Sequence, residues 1–297
     1  MSVSLPWGGI STVRKIAISC MSGGYKGAFI QGVLVSLEHA HFFAEAYASC
    51  SSSSLPAAFA SFREASSLDL SLWIEGKKIA SMTGNSQSNA ILNSIATLSP
   101  FIKKNLFQPD SARYLVAASY VKTQQAALET QTERARGLGR KLLVAAARKD
   151  ASWKDEHLEL HLFDTRSKDE DMKLIETHFE EVAYATTRML HAWHIPAYIN
   201  NKPYIDGSYT TLCPVFQLAV LQYTHIVAIL TEQGTVNLDF FSNTPIPEQI
   251  NSSSVLFIKP DVDLKTFGVD FFAATDEGIA LAYQHGLKKG KEFIEGF

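Results

Sequence analysis

Ile16-Ala17-Ile18-Ser19-Cys20-Met21-Ser22-Gly23-Gly24-Tyr25-Lys26-Gly27 runs from a short apolar segment into a glycine-rich turn, and a helix-like stretch from Ala28 to His39 follows. The first N–H groups of a helix have no intrahelical acceptor, so a turn of this kind between strand and helix points backbone donors at any anion seated there. Further on, Ser49-Cys50-Ser51-Ser52-Ser53 is a small-residue turn entering Leu55-Pro56-Ala57-Ala58-Phe59, placed to display a hydroxyl at a strand-to-helix corner. Far downstream, Asp206-Gly207 supplies a carboxylate beside a glycine. An oxyanion-binding loop, a hydroxyl nucleophile and a carboxylate base are the parts of a serine acyl hydrolase.

In this order the three blocks make the chain similar to the patatin-like phospholipase family. That family's pattern is G-G-G-x-[RK]-G, then G-x-S-x-G, then D-G-[GA] with a proline six residues after the triplet. The first block here is Ser22 to Gly27, followed by Gly32-Val33-Leu34. The second is Ser49 to Ser53, continuing into Leu55-Pro56-Ala57-Ala58, and the third is Asp206-Gly207-Ser208 with Pro214 beyond it. The likeness extends through Ala185-Thr186-Thr187 and spans most of the 297 residues.

The resemblance implies an α/β three-layer sandwich, a mostly parallel central sheet with helices on both faces. It also implies a Ser-Asp dyad without histidine, in which Ser51 attacks an ester carbonyl and Asp206 takes its proton. Backbone N–H groups of Gly23, Gly24 and Tyr25 would hold the oxyanion, with Lys26, Gly27 and Gly207 supporting the loops. No metal or other cofactor is required, and the substrate class is a phospholipid or other lipid acyl ester.

Four small-residue positions depart from the pattern. Both elbow glycines are serines, Ser49 and Ser53, while Ser22 replaces the first loop glycine and Ser208 the last residue of the third block. Cys213 and Leu212 stand where asparagines are common. A nucleophile at a tight corner sits on a strained backbone whose neighbours are squeezed, and a serine there costs roughly 1–3 kcal/mol of local strain unless it is accommodated. The alternative to an active hydrolase is therefore a catalytically degenerate protein of the same fold that binds lipid or a protein partner without turnover.

Composition narrows the class. Hydrophobic residues are 46% and charged ones 19%, enough for a large core, and no linker divides the chain. One domain over 1–297 is expected, with a candidate helical lid or cap at about 81–140. The longest apolar stretch, Thr211 to Leu230, is broken by Pro214, Gln217, Gln222, Thr224 and His225, so it predicts a helix and then a strand rather than a membrane span. Met1 to Trp7 lacks the basic and apolar regions of a secretory signal. A cytoplasmic location, or delivery without a cleavable leader, is expected, with peripheral membrane contact compatible with either. Three cysteines, Cys20, Cys50 and Cys213, are too few for a disulfide framework, and no C-x-x-C pair suggests zinc.

Charge is uneven about a net −3. Residues 101–150 hold ten Lys or Arg against four Asp or Glu, and 151–297 hold eleven against twenty-one. The basic stretch, with Lys103, Lys104, Arg134, Arg136, Arg140 and Lys141, reads either as a solvated helix face or as a patch for anionic headgroups. It is too diffuse, and too poor in interleaved aromatics, for nucleic acid.

Hydrophobic periodicity predicts strands at Ile16–Cys20, Ala44–Ala48, Leu142–Ala147, Leu158–Phe163, Ile226–Leu230 and Val255–Ile258. Helices are predicted over 28–39, 54–64, 111–136, 174–191, 215–223 and 274–294. Such alternation favours a mostly parallel sheet, whose chemistry collects at the carboxyl ends of strands. Between 81 and 110, Ile91, Leu92, Ile95, Leu98, Phe101 and Ile102 form an amphipathic stripe that Pro100 interrupts, either a packed helix or a lid over an acyl pocket.

Each candidate has a plainer reading. Ser51 could be one of several turn serines, and Asp206-Gly207 an ordinary turn. The glycines could cradle a nucleotide phosphate, but G-x-G-x-x-G lacks its first glycine and no G-K-[ST] follows. His191 and His194 read as core or pocket-lining residues, and Cys50 as a small buried residue.

Overall fold

The computed structural model describes residues 15–82 and 86–297; the N-terminal segment, with the Met1 to Trp7 stretch considered for a secretory signal, and residues 83–85 lie outside the described residues. The chain opens with β1 (Ile16–Cys20), α1 (Gly27–His39), β2 (Ala46–Cys50) and α2 (Ser54–Ser61). Helices α3 (Ser71–Ser81) and α4 (Gln87–Leu106) lead to β3 (Arg113–Val121), then α5 (Gln124–Thr130), α6 (Ala135–Ala147), α7 (Ser152–His157) and β4 (Leu158–Asp164). After α8 (Phe179–Ala185) come the short β5 (Tyr198–Ile199) and β6 (Lys202–Asp206). The chain ends with α9 (Val215–Val220), β7 (His225–Ile229), β8 (Gln249–Ile250), β9 (Ser253–Ile258) and α10 (Asp276–Gly296).

The architecture is α/β, with a mixed, mostly parallel sheet flanked by helices. Strands β3, β2, β1, β7 and β9 lie side by side in parallel, while β4, β5, β6 and β8 pair antiparallel at the margins. Strands β1 and β7 are buried almost throughout, which accounts for their continuous apolar runs, since both faces of a parallel sheet are covered. Their β-branched residues, Ile16, Ile18, Ile226, Val227 and Ile229, suit a pleated buried surface.

Strand β3 decides where the site forms. Along one edge it pairs with β2 as far as Cys50 opposite Ala117, and the next residue, Ala118, pairs with Asp206 at the end of β6. Because β2 runs parallel to β3 and β6 antiparallel, the carboxyl ends of β2 and β6 meet head to head on adjacent positions of one edge. Ser51, which follows β2, and Asp206, which ends β6, are brought together by that register.

Two predicted elements are corrected. Residues 111–136 were expected to be one helix but contain β3 and α5. Tyr114 to Ala118 are all buried, so the strand lacks the alternation that marks half-buried strands. The region expected as a cap, about 81–140, holds α4, the central strand β3, α5 and the start of α6. Leu142–Ala147, expected as a strand, ends α6, whose buried Ala135, Gly139 and Leu142 recur at helical spacing. Pro100 lies inside α4 and does not end it.

Helices α1 and α10 touch backbone to backbone. A Cβ at Gly286 would lie 2.1 Å from the Phe29 carbonyl oxygen, and one at Gly32 would lie 2.1 Å from that of Tyr283. Alanine exceeds glycine in helix propensity by about 1 kcal/mol. Forcing two packed helices apart costs more, typically about 1–3 kcal/mol. Gly286→Ala is therefore expected to lower the urea midpoint of the folded chain. An unchanged or raised midpoint would mean that the helices separate without cost.

Candidate functional site

Ser51 is the first residue after β2 and has φ of 57°, in the left-handed region that a non-glycine residue seldom adopts. The turn 51–53 then enters α2. The strained conformation is held from several sides. The Ser51 N–H donates to Thr186 Oγ1 at 2.8 Å, and the Thr186 hydroxyl donates to the Ala117 carbonyl at 2.6 Å. One threonine thus ties the corner to β3. Its own carbonyl accepts from the Gly207 N–H at 3.2 Å, which fastens the turn after β6 to the same point.

The Ser51 hydroxyl donates to Asp206 Oδ2 at 2.8 Å. The other carboxylate oxygen accepts the Ser208 N–H, also at 2.8 Å, so the carboxyl plane is fixed. The aspartate backbone is bound on both sides: its N–H donates to the Arg188 carbonyl, and its carbonyl accepts from Ser119 Oγ at 2.8 Å. Arg188 is itself fully buried, with Nε and Nη2 donating to the carbonyls of Ile195 and Thr130.

Burial governs the electrostatics. Asp206 is wholly enclosed, and desolvation pushes its carboxyl up to about 6 against the opposing hydrogen bonds from Ser208 and Ser51. A carboxylate of this kind is a better proton acceptor than one near the ordinary ~3.9. Cys50, beside Ser51, is shifted in the same direction: burial and then the Asp206 charge raise its thiol well above the usual range, so it stays a protonated, unreactive thiol. Among the described residues no histidine lines the adjoining cavity.

Both serines of the altered elbow have their hydroxyls satisfied, Ser49 on β3 and Ser53 on the backbone of the corner itself. Ser49 Oγ donates to the Leu115 carbonyl at 3.2 Å and lies 3.2 Å from the Tyr114 hydroxyl. Ser53 Oγ accepts the Cys50 N–H at 3.2 Å and lies within donating distance of the carbonyls of Cys20 and Cys50, at 3.0 and 2.9 Å. Each side chain replaces an absent Cβ with a satisfied hydrogen-bonding group, and the left-handed turn at Ser51 persists between them.

The glycine loop lies alongside. Gly24 has φ of 56°, and a Cβ there would stand 2.0 Å from the Phe271 carbonyl oxygen. Only glycine satisfies both constraints. Among the described residues the backbone N–H groups of Gly23, Gly24 and Tyr25 have no acceptor. Lys26 is buried and braces the loop, donating to Glu232 Oε1 at 2.8 Å and lying 5.0 Å from the centre of the Phe271 ring. Gly27 begins α1.

Ser51, Gly23, Gly24 and Tyr25 all line one cavity, whose remaining wall is largely apolar: Leu55, Trp73, Ile91, Met189, Trp193 and Phe271. Trp73 comes from α3 and Ile91 from α4. Three polar atoms of this wall, Ser22 Oγ, Ser52 Oγ and Trp193 Nε1, are buried without a partner among the described residues. Residue type alone does not mark Thr186 as a clamp or Phe271 and Trp73 as cavity walls. Thr186-Thr187 lay within the motif resemblance, but aromatic residues far along the chain carry no local signal of a shared cavity.

No protein-family model matches the chain, and no curated protein matches it significantly. Among solved structures it is similar to VipD from Legionella pneumophila, with a TM-score of 0.47 and 10% identity, covering 95% of this chain and 67% of that one. At that level of likeness, function has to be argued from the geometry of the site.

Proposed function

We propose that the protein is a serine acyl hydrolase acting on lipid esters, with Ser51 as nucleophile and Asp206 as its base, on a patatin-like fold. The observation that carries this reading is the 2.8 Å hydrogen bond from Ser51 Oγ to the buried Asp206 carboxylate, made by a left-handed serine on the wall of an apolar cavity. Ser51 Oγ attacks the ester carbonyl carbon while its proton passes to Asp206. The oxyanion is held by the unpaired N–H groups of Gly23, Gly24 and Tyr25. As the tetrahedral adduct collapses, the C–O bond breaks and Asp206 returns the proton to the departing alcohol. Water, deprotonated by Asp206, then cleaves the acyl-enzyme and restores the serine.

The apolar wall suits an acyl chain, and the unpartnered hydroxyls of Ser22 and Ser52 suit the oxygen atoms of the ester. Helices α3 and α4, which supply Trp73 and Ile91, are the proposed cap. The alternative of binding without turnover drew on the loss of the elbow glycines, and the satisfied hydroxyls of Ser49 and Ser53 weaken its ground.

A fluorophosphonate probe is expected to label the wild type at Ser51 and to leave Ser51→Ala unlabelled. Hydrolysis of a short-chain ester should fall to background in both Ser51→Ala and Asp206→Asn. Ser49→Gly with Ser53→Gly should change turnover little, because the corner with both serines present already keeps Ser51 left-handed with its hydroxyl on Asp206. A large gain in that double variant would show instead that the serines impede catalysis. Failure of the wild type to label or to hydrolyse any ester would leave the binding reading.

Asp206 also links activity to pH and to stability. Ionised Asp206 is the active base, so kcat/KM should rise with pH on an acid limb centred near about 6. Its folded-state value lies above the unfolded ~3.9, so the fold binds more protons than the unfolded chain between these two values. Stability from this group is therefore full below ~4 and declines as pH rises through about 6. Asp206→Asn removes that penalty and should raise stability at neutral pH by roughly 1–3 kcal/mol while abolishing activity. Denaturant titrations at two pH values test this; a less stable variant at neutral pH would contradict it.

A further inference from the structure

Helix α6 and the residues at its two ends carry a concentration of charge that the proposed chemistry does not use, and of these cationic side chains only Lys149 makes a hydrogen bond among the described residues, to the Phe240 carbonyl at 3.1 Å. From Arg134 to Lys149 there are six Lys or Arg and no Asp or Glu. Among the described residues none of the six forms an ion pair. Arg136, Arg140, Lys141 and Arg148 are exposed. Arg134 caps the amino end of the helix and Arg136 lies in its first turn, where the helix dipole disfavours cations, so local helix stability gives no reason for them.

The same outer face is partly apolar. Arg136, Arg140, Leu143, Val144 and Ala147 recur at three- and four-residue steps and lie on one side of the helix, with Leu143 40% and Val144 51% exposed. The opposite side, with Ala135, Leu138 and Leu142, packs into a cluster that includes Met189 and Trp193 of the cavity wall. Gly139 lies so close to the next segment that a Cβ would stand 2.4 Å from the His191 backbone nitrogen. The His191 ring meets Phe272 edge-on at 4.7 Å, and Phe272 is both part of the cavity lining and 40% exposed, which places it at the rim. Burial first, and then the charges of Arg136 and Arg140, lower the His191 pKa, in keeping with a positive field beside that rim.

We propose that the outer face of α6, together with Phe272, is a seat for an anionic lipid bilayer that holds the cavity rim against the membrane. Cations flanking exposed aliphatic side chains on one helix face match a surface of phosphate headgroups over acyl chains. A purely acidic protein or nucleic acid would leave Leu143, Val144 and Phe272 without a role. The purpose of the seat rests on the lipid-hydrolase reading, but its binding does not need Ser51.

The test uses the full chain carrying Ser51→Ala, so that vesicles are not consumed, in co-sedimentation with phosphatidylcholine vesicles with and without phosphatidylserine. Binding is expected to the anionic vesicles alone and to weaken in high salt. Arg136→Gln with Arg140→Gln should lower partitioning by roughly 30-fold, since each membrane-facing cation contributes about fivefold. Lys141→Gln with Arg148→Gln, exposed cations beside that face and at the carboxyl end of the helix, provides a second pair with the same expected direction. Hydrolysis of a soluble short-chain ester by the catalytically intact chain should be equal with and without the Arg136/Arg140 pair, which separates failure of the seat from failure of the catalytic proposal. Equal binding to neutral and anionic vesicles, or undiminished binding by both double variants, overturns the proposal. Retention of an acidic polypeptide without retention of vesicles also overturns it, in favour of a protein partner.

Discussion

One edge of β3 holds the ends of two strands that run in opposite directions, and the rest of the site depends on that junction. Cys50 faces Ala117 and Asp206 faces Ala118, so the residue that leaves β2 and the residue that ends β6 are set together by backbone pairing before any side chain acts. The Ser51–Asp206 hydrogen bond follows from this register. Thr186 and Ser119 fasten the junction with three hydrogen bonds to the strand ends and to β3 itself.

Two unfavourable features are kept there together. Ser51 occupies a left-handed backbone, and Asp206 is a carboxylate removed from water. Each is of the kind that persists only where the surroundings over-determine it. The surroundings do so through packing of the parallel strands and through satisfied polar groups close by. The two elbow serines belong to that support: their hydroxyls bond to backbone and Tyr114, and they occupy space that glycine would leave empty.

The cavity joins parts of the chain that are remote in sequence. Phe271 bears on Gly24 through its carbonyl and on Lys26 through its ring, so the glycine loop and the segment before α10 fix each other. Trp193 and Met189 belong both to the cavity wall and to the packing beneath α6. The helix that bears the charged outer surface thus packs against side chains that also line the cavity.

The local signals in the chain were enough to determine the kind of fold and the three blocks that meet. Continuous apolar runs marked β1, β7 and β9, and the glycine turn, the serine turn and Asp206-Gly207 carried their chemistry in residue type alone. Strand β3 was not legible, because a strand buried on both faces has no alternation and its leucine and alanines are equally at home in a helix. Leu142–Ala147 failed for the converse reason, a short apolar run whose helical face is visible only when Ala135 and Gly139 are read with it. Whether serines at 49 and 53 could be tolerated was likewise beyond local reading, since the carbonyls and the Tyr114 hydroxyl that receive them come from strands paired in space. Only tertiary structure decided the distance from Ser51 to Asp206 and the raised pKa of that carboxyl, because both depend on strand register and on exclusion of water.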